Sequence, residues 1–66
     1  MNRNQRIALA ERGLTVKGLG VELDLHPGYV SNVLAGRYEV PRTREKIAKA
    51  LAKTTAYLWP SPETED

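Results

Sequence analysis

The sequence predicts an all-α domain of four to five short helices. Three observations carry that expectation. Apolar residues recur at spacings of three and four, and no useful length alternates β-branched with polar residues. Glycines and prolines (Gly13, Gly18, Gly20, Pro27-Gly28, Gly36, Pro41, Pro60 and Pro62) divide the chain into pieces one to three helical turns long. Several pieces open on residues that cap a helix, such as Thr15 and Thr54, or on a proline suited to the first helical position, such as Pro27.

The first piece predicts a helix over about 4–12. Ile7, Ala10 and Leu14 share one apolar face, and Gly13 ends it. Thr15 then caps a helix whose Val16, Leu19, Gly20 and Leu23 form a single stripe at i, i+3, i+4 and i+7. Glycine in a helix interior costs roughly 1 kcal/mol against alanine. With Gly18 and Gly20 both inside this helix, at least one is expected to serve packing. Asp24-Leu25-His26 reads as a tight turn, because Asp tolerates the left-handed backbone. Leu25, apolar in a turn, is expected to plug the gap between two helices.

The third helix runs from Pro27 to about Leu34, with Val30, Val33 and Leu34 inward and Tyr29, Ser31 and Asn32 pointing elsewhere. Gly36 is placed in the C-cap role. Residues 37–41 form a loop. A fourth helix over 42–51 buries Ile47, Ala48 and Leu51. A short last helix over 55–58 carries Tyr57, Leu58 and Trp59 as its apolar load, one or two of them closing the core, before Pro60 stops it. Leu58 is assigned to the core, while Trp59 is divided between core edge and dimer contact.

At 66 residues the chain is one domain at most, with residues 1–60 folded and 61–66 a frayed acidic tail. It has no cysteine, so disulfides and thiolate metal sites are excluded. A single histidine speaks against any metal centre, and no cofactor is implied. No stretch approaches a membrane span, and the polar start lacks the apolar region of a secretory signal, which predicts a cytoplasmic protein. The net charge is +2, but Glu63, Glu65 and Asp66 lie in the last four residues. Residues 1–62 carry ten Lys/Arg against five acids, a net +5 that favours polyanions.

Val16, Gly20, Asp24, Leu25, Val30 and Val33 together have the spacing of a helix-turn-helix. A tiny residue at position 20 lets two steeply crossing helices bring their backbones close. Over about residues 4–59 the layout resembles the Cro/phage-repressor family, with its lambda-repressor-like fold. Leu58-Trp59-Pro60 after Val30-Ser31-Asn32 also resembles the Ner-like phage regulators. The sequence departs from the family at Asp24, where the turn usually has glycine. It departs again at Val16, where glutamine often contacts a phosphate, and at Pro27-Gly28, where polar base readers often sit.

The resemblance implies a sequence-specific regulator of phage or prophage origin that binds a palindromic double-stranded operator as a homodimer. On that fold Asn32 faces outward as the first candidate for base contact, since an Asn amide matches an adenine edge. Tyr29 and Ser31 flank it. His26 either contacts phosphate or caps the helix, and Gly28 exposes backbone N–H groups to a phosphate. Lys17, Arg37, Arg42 and Arg44 are candidates for phosphate or minor-groove contact. By the family's layout Arg42 is the one placed to enter a narrow groove. Arg6 and Lys46 are further phosphate candidates, while Lys49 and Lys53 are read as the solvated face of the fourth helix.

A second expectation is an antitoxin or anti-repressor that uses this fold mainly for protein contacts. An enzyme is not expected. The sequence has no Ser/His/Asp, Cys/His or paired-carboxylate arrangement, and Gly18-Leu19-Gly20 lacks the rest of a phosphate-loop signature.

Overall fold

A computed structural model describes residues 1–60; the expected tail over 61–66 lies outside the described residues. The described chain forms five helices and no strand: α1 (Arg3–Arg12), α2 (Val16–Leu23), α3 (Pro27–Leu34), α4 (Pro41–Leu51) and α5 (Thr55–Leu58). None of these helices is long and apolar enough to cross a membrane.

Local chemistry sets the boundaries. Asn2 and Gln5 form a reciprocal capping box at the start of α1, in which the Asn2 side chain accepts from the Gln5 N–H and Gln5 Oε1 accepts from the Asn2 N–H. Thr15 Oγ1 accepts from the Gly18 N–H, and Thr54 Oγ1 from the Tyr57 N–H. α4 begins at Pro41, one residue before the predicted start, because proline occupies its first turn. The α3 C-cap is Ala35, not Gly36. Gly36 follows at φ 82°, the left-handed turn that sends the chain back along the helix.

Each helix contributes to one core: Ala8 and Leu9 from α1, Leu19 from α2, Val30, Val33 and Leu34 from α3, Ile47, Ala48 and Leu51 from α4, and Leu58 from α5. A four-residue helix has no stability of its own. Burial of Leu58, worth roughly 2–3 kcal/mol, anchors α5. Leu25 packs against the core from the turn.

The predicted face of α1 needs correction. Ile7 is 38% exposed and Ala10 lies on the surface; the buried residues are Gln5, Ala8 and Leu9. An apolar pattern skips Gln5, yet its carboxamide enters the core with its polar atoms engaged. Nε2 donates to the carbonyls of Leu34 (2.9 Å) and Leu58 (2.8 Å). Asn2 Nδ2 also donates to Leu58, and Asn4 Nδ2 to the Tyr57 carbonyl. These bonds satisfy carbonyls that helix ends leave orphaned.

Lys53 also needs correction. It lies beyond α4, where its Nζ pairs with Glu11 at 2.9 Å and sits 5.2 Å from the Tyr57 ring centre. That ties the α4–α5 turn to α1.

Candidate nucleic-acid interface

α2 and α3 are eight residues each and are joined by residues 24–26. Asp24 takes φ 58° and ψ 44°, and the Leu25 N–H returns to the Gly20 carbonyl at 2.8 Å. A Cβ on Gly20 would stand 2.7 Å from the Leu25 carbonyl oxygen and 3.4 Å from the Pro27 nitrogen. The close approach is therefore backbone on backbone, with no flexible side chain to yield. Gly18 meets only ordinary contacts, so of the two α2 glycines it is Gly20 that serves packing.

α3 starts with its N-terminus exposed. His26 Nδ1 accepts from the Gly28 N–H at 2.9 Å, so the imidazole caps the helix and Nε2 remains as a donor. Gly28 and Ser31 are exposed, while Asn32 is half-buried beside them.

Tyr29 turns to the flank. Its hydroxyl shares a 3.0 Å hydrogen bond with Thr43 Oγ1 on α4, and its ring lies 6.0 Å from that of Tyr38. That hydroxyl is occupied inside the domain, so the side chain positions α3 against α4 instead of extending from the outer face.

Arg37 is bound twice to Asn32. Its backbone N–H donates to the Asn32 carbonyl at 3.0 Å, and its Nη1 donates to Asn32 Oδ1 at 3.2 Å. The cation is thus folded onto the last turn of α3.

The other predicted cations separate into two groups. Lys17 on α2, Arg42 on α4 and Arg6 on α1 are exposed, and Arg42, Lys46 and Lys49 share the outer side of α4. Arg44 is turned inward instead. Its guanidinium lies 4.9 Å from the centre of the Trp59 ring, and its Nε is buried without a hydrogen-bond partner. Trp59 in turn donates from Nε1 to the Val33 carbonyl at 3.0 Å, which places it at the core edge.

Two supporting residues escape the sequence reading. Gln5 holds the C-terminal end of α3 through Leu34, and its signal was present in the Asn2-x-x-Gln5 spacing of a capping box. Thr43 holds Tyr29 and left no such signal. No group of three or more metal-ligating side chains occurs among the described residues. No family model, curated protein or solved structure matches the chain.

Proposed function

We propose that the chain is a sequence-specific double-stranded-DNA-binding regulator, a helix-turn-helix domain of the lambda-repressor-like type with α3 as its recognition helix. The observation that carries this reading is the backbone contact of Gly20 with Leu25 and Pro27. It fixes two short helices at close approach and leaves the outer side of α3, with Gly28, Ser31 and Asn32, clear of the core. An exposed helix N-terminus suits a phosphate, and the exposed Lys17, Arg37 and Arg42 add positive charge to the surface of the domain.

One such helix covers few base pairs. Specificity then comes from two copies whose helices enter adjacent major grooves about 34 Å apart, on a palindromic operator. The domain acts by occupying that site, as a phage or prophage repressor does.

Selection of bound sites from random duplexes, followed by salt titration on the selected site, tests the reading. A dimer neutralising about six to eight phosphates gives a log–log slope of about −5 to −7. A slope near zero, or no selected site, sinks it.

Val21, 74% exposed on α2, favours a second reading as an antitoxin or anti-repressor acting through protein contacts. A stable 1:1 complex with a protein partner, formed by a chain without duplex affinity, is the result that selects it.

A further inference from the structure

We infer that the outer face of α4 is an anion-binding surface that takes this chain's own acidic segment, seating Glu63, Glu65 and Asp66 against Lys46 and Lys49. The inference stands apart from the DNA-binding reading above.

Arg42, Lys46 and Lys49 follow one another at i, i+4 and i+7, so a single stripe of α4 carries all three. They are exposed, and they line an open groove that continues past Lys53 to Thr55, where α5 begins. The one carboxylate in that groove belongs to Glu45. Among the described residues the only ion pair is Lys53 with Glu11, so Glu45 holds none of the three cations at contact distance. Arg37 and Arg44 are occupied elsewhere, on Asn32 and over Trp59. Positive charge is thus concentrated on α4. The sequence concentrates negative charge just beyond it, since residues 61–66 carry three acids and no base.

The reach of the chain permits the two to meet. α5 advances about 1.5 Å per residue and consecutive Cα atoms are about 3.8 Å apart, so Pro60 lies within about 13 Å of Thr55. Six further residues span up to about 20 Å when extended. The segment can therefore run back past Thr55 with about one helical turn in hand, which is the spacing from Lys53 to Lys49. Long lysine stems bring Lys46 within range as well. A lone exposed ion pair is weak. Here three carboxylates are tethered beside one stripe, and the tether replaces a bimolecular encounter with a high local concentration. The segment then competes with any outside polyanion for α4 and leaves Arg42, the farthest cation, open.

Carbodiimide crosslinking of the full chain, followed by peptide mapping, tests the contact. The reagent joins a carboxylate directly to an amine that it touches. Glu11 and Lys53, 2.9 Å apart, are the internal control. Within single chains the carboxylates of Glu63, Glu65 and Asp66 should be joined to Lys46 or Lys49. That yield should fall several-fold when ionic strength rises from about 0.1 M to 1 M, because the screening length shrinks from about 10 Å to 3 Å. Links mainly to Lys17 or the Met1 amine, or to a second chain, overturn the inference. So does a Glu11–Lys53 link with none from the acidic segment. A second measurement uses immobilised heparin, a polyanion with no base edges to read. Lys46→Gln/Lys49→Gln should lower the salt needed for elution about twofold more in a chain carrying Glu63→Gln, Glu65→Gln and Asp66→Asn than in the parent chain. Equal losses in both backgrounds overturn the inference, whatever a duplex selection returns. Glutamine keeps the helix propensity of lysine, and far-UV circular dichroism checks the fold.

Discussion

Gln5 donates through Nε2 to the carbonyl of Leu34, 29 positions further along the chain. The bond ties the first helix to the last residue of α3. Gln5→Leu keeps the volume but leaves the Leu34 carbonyl without this donor, whereas Leu58 retains Asn2 Nδ2. A buried acceptor left unpaired costs about 1–3 kcal/mol. The urea midpoint should fall accordingly at unchanged slope. An unaltered midpoint would show that the carboxamide contributes nothing net.

Gly20→Ala should destabilise the domain despite the better helix propensity of alanine. The propensity gain is roughly 1 kcal/mol. Against it stands a Cβ 2.7 Å from a backbone oxygen, which requires α2 and α3 to move apart. Overpacking of this kind costs about 1–3 kcal/mol before that gain. Duplex affinity should fall further than stability alone explains, because the spacing of the two helices changes. Thermal melts and binding titrations on the same samples separate the two effects.

Arg42 and Arg44 should respond differently to truncation. Arg42 is exposed, so Arg42→Ala should make the salt slope of duplex binding shallower by about 0.9 for each phosphate it no longer neutralises. Arg44 lies over the Trp59 ring. Arg44→Ala should leave the slope unchanged and cost about 0.5–2 kcal/mol of stability, the worth of the cation–π interaction it removes. Trp59 is the only tryptophan, so its fluorescence reports the altered packing directly. Equal slope changes in both variants would contradict this division.

Ala52 ends α4 in the left-handed conformation, at φ 56° and ψ 41°. That conformation costs an L-residue about 1–2 kcal/mol, and glycine avoids it at an entropic cost of about 0.5–1 kcal/mol. Ala52→Gly should therefore stabilise the domain by about 0.5–1 kcal/mol, with the melting temperature rising by about 2–8 °C. A fall in melting temperature would refute it.

The hydrogen bond from Lys53 to Glu11, followed by their Coulombic attraction, raises the Lys53 amine above its ordinary value of 10.5. A raised amine value means that the folded state holds the proton more tightly than the unfolded chain. The pair's stabilisation is then fully present below pH 10.5 and is lost as pH climbs through the raised value. Glu11→Gln should flatten that alkaline limb of the stability profile, and added salt should shrink it in the parent chain. An identical alkaline limb in both proteins would remove Glu11 as its cause.

How much of this was legible in the sequence depended on range. Thr15, Asp24 and Leu25 act within five residues of their own position, and turn and cap chemistry found them. Gly20 was found because a tiny residue inside an apolar stripe has few uses. The α1 face was misread because buried Gln5 breaks the apolar period, although its partner Asn2 sits at capping-box distance. Trp59 to Val33 and Tyr29 to Thr43 join residues 26 and 14 apart through single polar atoms. Such bonds leave no periodicity behind. Arg37 and Asn32 were each recognised, but their pairing depends on how Gly36 turns the chain.

Trp59 and Gln5 hold two successive carbonyls at the end of α3, Val33 and Leu34, from near opposite ends of the described chain. This has a consequence for a nascent polypeptide. When Leu34 has just been added, the residue that grips its neighbour's carbonyl is still some twenty-five codons away, a delay of about one to five seconds at ordinary elongation rates. α3 reaches its final setting only after position 59 is free of the ribosome. A growing chain therefore completes the sequence of α3 early but locks its far end late.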